Sequence, residues 1–166
     1  MARLRWPRRN RLPQEVKARL HTAPGERVLA HAPAEEGTAV ATTRALHLPG
    51  GASVPWEDID SARWESDGLV LVEADGTKHL IALAAPGPLA EAVFDRVNAT
   101  ILVSHYVTLT EDAEGTKGLR LIARRPPGGD EVTWRVRYDD GVDPADPAVR
   151  DHAQRWLALL REQTGV

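Results

Sequence analysis

The chain has 166 residues, 42% of them hydrophobic and 27% charged, the composition of an ordinary globular protein of one domain or two small ones. It contains no cysteine, which excludes disulfide scaffolds, thiolate zinc sites, iron–sulfur clusters and cysteine nucleophiles. The net charge of −3 hides an asymmetry: residues 1–20 hold seven basic side chains against Glu15 alone, a balance of +6, and the remaining 146 hold fourteen against twenty-three, a balance of −9.

The basic start is followed by neither an apolar run nor a small-residue cleavage pattern, so it does not read as a secretory signal. No stretch approaches the roughly 18 consecutive apolar residues of a membrane span, and a cytoplasmic protein is expected. Within the arm, Arg3, Arg5, Trp6, Arg8, Arg9 and Arg11 place one aromatic side chain among arginines, a composition suited to an anionic partner, nucleic acid or lipid headgroups. Pro13 then opens a short amphipathic helix carrying Leu12, Val16 and Leu20 at helical spacing, which ends at Ala23-Pro24-Gly25.

From Glu26 the periodicity is that of strands. Segments 27–32, 38–43 and 45–48 read as strands, the last broken by Pro49-Gly50-Gly51. Residues 52–54 lead through Pro55 into 56–65, where Trp56, Ile59, Ala62 and Trp64 are the apolar members and a bend is expected near Asp58. Segments 69–73 and 78–84 flank Asp75-Gly76, read as a hairpin turn with both central residues at positive φ, and Asp67-Gly68 reads as a second such turn. Six short antiparallel strands are thus followed by a helix over 88–102, with Leu89, Val93, Val97 and Ile101 on one face.

The last third alternates again. Residues 106–109, 118–123 and 132–138 read as strands, with Trp134, Val136 and Tyr138 on one face and Thr133, Arg135 and Arg137 on the other. A final helix over 144–162 is expected to start with Asp143 as N-cap, Pro144 at the first position and Asp146 in the first turn, and to bury Val149, Ala153, Trp156, Leu157 and Leu160. The predicted class is α+β, divided into an arm and short helix (1–22), a sheet domain (23–103) and a β-β-β-α subdomain packed on it (104–166).

Three short motifs give the sheet domain a family likeness. Gly25-Glu26 precedes the first strand, Thr42-Thr43-Arg44-Ala45-Leu46 forms a Thr-x-Arg-x-Leu-like strand, and Val54-Pro55-Trp56-Glu57-Asp58-Ile59 supplies an element of the form hydrophobic, Pro, aromatic, acidic, acidic, Ile. In order and spacing, residues 23–102 resemble the bacterial pleckstrin-homology-like (PH-like) domains. The resemblance implies a mainly antiparallel bent sheet or partly open barrel, capped by the helix at 88–102, and a binding or scaffolding role without catalysis. That family's sheet has seven strands against the six read here, which leaves the seventh to an unread segment or to the last third. The last third is similar in outline to double-stranded-RNA-binding domains, but Asp139, Asp140, Asp143 and Asp146 at the start of its final helix oppose phosphate binding.

Catalytic chemistry finds few residues to rest on. The six histidines show no metal spacing, and His47 and His79, on strand faces opposite their leucine neighbours, are expected to be solvated. Nucleophile elbows and phosphate-binding glycine loops are absent. Glu57, Asp58 and Asp60 could supply paired carboxylates, but acidic residues after Pro-Trp more simply cap a turn. Trp56, Trp64, Trp134 and Trp156 are assigned to the core. Arg124, Arg125, Arg135 and Arg137 are read as a second basic patch on an exposed face. The expected function is therefore non-enzymatic binding of another protein, with no cofactor or metal. The alternative is an accessory nucleic-acid or anionic-membrane binder working through the arginine-rich arm.

Overall fold

The structure, a computed structural model, describes residues 11–166. It is α+β, with three antiparallel sheets, none closed into a barrel, and three α-helices. After α1 (Gln14–Arg19), strands β1 (Val28–Ala34), β2 (Gly37–Thr42), β3 (Ala45–His47) and β4 (Ser53–Pro55) form the first sheet in chain order. A 3₁₀ turn (Trp56–Asp58) leads into β5 (Ile59–Glu65), which with β6 (Gly68–Glu73) and β7 (Lys78–Ile81) makes the second. Helix α2 (Gly87–Ala99) is followed almost at once by β8 (Ile101–Asp112), then β9 (Gly115–Arg124) and β10 (Thr133–Tyr138), a sheet in the order β10-β9-β8, and by α3 (Pro147–Thr164).

Among the described residues seven strands, not six, precede α2. The additional one is β4, which the turn at Pro49-Gly50-Gly51 returns against β3: the Leu48 N–H donates to the Ala52 carbonyl and Leu46 pairs with Val54. Both Asp-Gly turns differ from expectation in detail, because no residue other than glycine takes positive φ among the described residues. At Asp75-Gly76 only the glycine does, with φ 91°, while the Asp75 carboxylate accepts from the Thr77 N–H. The other loop is Ser66-Asp67, and Gly68 is already paired with Glu65 in the β5–β6 ladder. Gly68 must lack a side chain, since a Cβ there would lie 2.1 Å from the Ile81 carbonyl oxygen.

One core lies among the first two sheets and α2. Leu46, Val54, Trp56, Ile59, Leu69, Leu71, Ile81, Leu89 and Val93 are buried in it, and α2 packs on β1, β2 and β5. Ile101 does not join the α2 stripe. Thr100 ends the helix, its hydroxyl donating to the Val97 carbonyl, and the β-branched Ile101 and Val103 extend the chain into β8. The expected division after residue 103 thus falls inside a strand. A second core joins Val107, Leu119 and Leu121 of the third sheet to Ala153 and Leu160 of α3, with Trp134, Trp156 and Leu157 packed against it. His105 stacks on Trp156 with ring centroids 4.9 Å apart.

Helix α3 starts one turn later than the capping pattern suggests. The triplet Asp-Pro-Ala occurs twice in succession, at 143–145 and 146–148. The first forms a separate turn in which Asp143 accepts from the Ala145 N–H; the second is the true cap, with Asp146 accepting from the Ala148 N–H at 2.8 Å and Pro147 at the first helical position. No helix among the described residues is long and apolar enough to cross a membrane.

Candidate functional site

The three motifs of the first sheet meet in space. The Glu26 carboxylate, only 5% exposed, accepts from the Ala23 N–H at 2.7 Å, the Thr42 hydroxyl at 2.5 Å and the His47 ring at 3.1 Å. Thr42 in turn accepts from the Ala45 N–H, and its carbonyl receives the Trp56 indole N–H at 3.0 Å. Burial pushes the Glu26 carboxyl up, but the donors at Thr42, Ala23 and His47 outweigh it and hold the group below the ordinary glutamate value. His47 is therefore buried and bonded, not solvated. The strand alternation behind the solvated reading assumes one wet face, yet α1 covers that face: Val16, Leu20, Val40 and His47 line one crevice. His79 is likewise half-buried and 2.5 Å from Glu73. These contacts make the motif residues architectural.

The second basic patch is only in part an exposed surface. Register puts Arg120, Ile122, Arg124, Arg135 and Arg137 on the face of the third sheet opposite α3, and that face meets the Glu57-Asp58-Asp60 segment. Arg135 donates to the Glu57 carbonyl at 3.1 Å and to the Asp58 carboxylate at 2.8 Å; Arg137 reaches Asp60 at 3.5 Å. Arg124 is 2% exposed and donates to the Val97 carbonyl, the Thr100 hydroxyl and the Asp60 carbonyl, so it caps the C-terminus of α2 and ties it to β5. Burial weakens its hold on its proton, which Asp60 partly restores. Of the four, Arg125 and Arg137 are exposed, Arg135 is half-buried and Arg124 is buried. Asp58 and Asp60 thus serve as counter-charges, and Glu57 keeps a buried Oε2 with no hydrogen-bond partner among the described residues. At the other end of this face, the Asp139 carboxylate accepts from the Tyr106 hydroxyl at 2.5 Å and the Gly118 N–H at 2.8 Å, bonds that hold it below the ordinary aspartate value.

Among the described residues a groove runs along β1. This strand is the outer edge of the first sheet, and a register shift between Val28 and Ala30 leaves Leu29 without a ladder partner. Val28 and Leu29 are consequently both exposed, at 40% and 43%, where a regular half-buried strand turns one of two neighbours inward. They border a groove of about 710 Å³ bounded by Leu12, Arg27 and Pro88 at the start of α2. Of the arm residues assigned to an anionic partner, Arg3, Arg5, Trp6, Arg8 and Arg9 lie outside the described residues; Arg11 is exposed, next to the Leu12 that lines this groove. The groove is not marked in the sequence, because 27–32 reads as an ordinary strand until the bulge is known.

No protein-family model, curated protein or solved structure matches the chain.

Proposed function

We propose that the protein is a non-enzymatic, cytoplasmic binding module of PH-like type that takes an extended segment of another protein along the outer edge of β1. The observation that carries this reading is the pair Val28 and Leu29, adjacent, apolar and exposed beside a groove wide enough for side chains of an added strand. Strand addition supplies main-chain hydrogen bonds at an edge and leaves selectivity to pockets for alternate side chains. Arg27 at the groove favours a segment in which an acidic residue flanks the apolar ones. The PH-like assignment draws support from the seven strands and following helix and from the joining of its three motifs through Glu26, Thr42 and Trp56. Engagement of Asp58 and Asp60 by arginines speaks for a structural use of the acidic cluster.

Affinity capture with the full chain, with Leu29→Glu and with a chain lacking residues 1–10 tests the reading. A specific protein retained by the wild type and by the shortened chain, lost with Leu29→Glu and kept by Leu80→Glu, an exposed position on β7, is the expected result. Capture that instead depends on residues 1–10, is released by nuclease or anionic vesicles, and collapses between about 50 and 200 mM salt would assign the function to the arm.

A further inference from the structure

The cleft between α2 and the arginine face of the third sheet has more arginines than carboxylates on its walls. Its volume is about 290 Å³, and the ionisable groups lining it are Arg120, Arg124, Arg137 and Asp60, a balance of +2. Arg120 and Arg137 are direct cross-strand partners in the β9–β10 ladder, a like-charge pairing that costs stability when nothing lies between the two groups. Among the described residues the hydrogen-bond and ring partners of Arg120 are neutral, the Ser104 hydroxyl at 3.2 Å and the Tyr106 ring, with the guanidinium 5.4 Å from the ring centroid, while the Asp139 carboxylate bonded to Tyr106 lies near enough to interact with both Arg120 and Arg137. Arg137 has only the long contact to Asp60, and every acceptor of the buried Arg124 is a carbonyl or hydroxyl. Each guanidinium carries five donors, so Arg120 and Arg137 keep most of theirs for another acceptor. Phe94 and Ile122 supply an apolar wall to the same space.

We propose that this cleft binds a small organic phosphate monoester, its dianionic phosphate held between Arg120 and Arg137 and its organic part against Phe94 and Ile122. The charge of such a group opposes the arginine excess of the cleft walls, and paired guanidinium forks suit its oxygens. The volume lies at the low end of ligand sites and fits a ligand of one ring or a few carbons. Because the cleft walls come from α2, β5 and the third sheet, the ligand also bridges the two halves of the molecule. None of these residues borders the β1 groove, so this site and the proposed peptide edge stand or fall separately.

Calorimetric titration of the full chain with phenyl phosphate, at fixed ionic strength, tests the site. The expected result is saturable binding at one site, weakened at least about tenfold in Arg120→Gln and in Arg137→Gln and unchanged in Arg161→Gln, an exposed arginine of α3. Dimethyl phosphate, a monoanion, and succinate, a dicarboxylate, are expected to bind at least about tenfold more weakly than phenyl phosphate. Should Arg120→Gln fail to fold, Arg120→Lys keeps the charge while removing the fork, and a loss of several-fold is expected. No saturable heat up to millimolar phenyl phosphate, glutamine variants that bind as tightly as wild type, or succinate binding as tightly as the phosphate would each overturn the proposal.

Discussion

Replacing Glu26 by alanine removes the acceptor on which three donors converge. Hydrogen bonds to a charged group are worth about 1.5–3 kcal/mol each, but their losses here are unequal. The Thr42 hydroxyl lies 3.0 Å from the Ala45 carbonyl and can donate there instead. Ala23 is only part-buried, so its N–H regains water; the His47 ring, 11% exposed, loses its partner outright. A net destabilisation of about 2–4 kcal/mol follows, or roughly 5–15 °C in Tm for a chain of this size. Glu26→Gln keeps one acceptor oxygen and should fall between. The pH dependence carries a second signature: because the folded group titrates below its ordinary value of 4.5, its stabilising contribution is complete above about pH 4.5 and is lost as the pH falls through the folded value. Urea unfolding of wild type and Glu26→Gln at several pH values between about 3 and 7 should show the two curves converging on the acid side. An alanine variant within about 0.5 kcal/mol of wild type, or a gap that does not shrink in acid, would refute the role assigned to this carboxylate.

Other perturbations test separate parts of the structure. Trp56→Ala, which empties a fully buried site and orphans the Thr42 carbonyl, should cost about 3–5 kcal/mol in urea unfolding. Arg124→Met, similar in length but without donors, removes the donor to the Asp60 carbonyl and the Thr100 hydroxyl, while the Val97 carbonyl keeps its bond from Thr100, and should lower stability by about 1–3 kcal/mol, read from the same transition. A double-mutant cycle on Asp58→Ala and Arg135→Ala should return a coupling of only about 0.5–1 kcal/mol, since both side chains keep substantial exposure. Tyr106→Phe should raise the Asp139 carboxyl titration, followed by carbon NMR, towards the ordinary 3.8, because the phenol is the main group holding it down.

Local pattern carried most of the strand map and both cores. Alternation placed Trp134, Val136 and Tyr138 on one face of the last strand, and the helical stripe Val149, Ala153, Trp156, Leu157 and Leu160 packs as its spacing implies. Pattern failed where a competing signal was stronger or where the answer lay far along the chain. Three-residue β4 ends in proline beside a glycine-rich turn and resembles a linker. Ile101 continues the four-residue spacing of α2 by coincidence, and only the switch to β-branched residues after Thr100 marks the change. The two Asp-Pro-Ala triplets offer equal caps, and the helix uses the second. For His47 alternation gives the strand face but not what borders it, because α1 and His47 are distant in sequence. The arginine seam is the clearest case: Arg135 and Asp58 are 77 residues apart, and no short-range rule pairs them. Arg120, central to the proposed anion cleft, had only the alternation of Leu119 and Leu121 to show that it points away from α3.

The bridging of α2 by Arg124 has a temporal side during synthesis. A chain leaves the ribosome N-terminus first, so residues through Ala99 emerge well before the guanidinium that ties α2 to the Asp60 carbonyl, and before Arg135 reaches Asp58. Over that interval the acidic segment at 58–60 and the end of α2 face water without their partners. A nascent chain stopped near residue 105 should therefore be more sensitive to protease than the finished protein even though every strand of the first two sheets has been made. Resistance should arrive in one step, when β9 and β10 have cleared the exit tunnel and closed over α2.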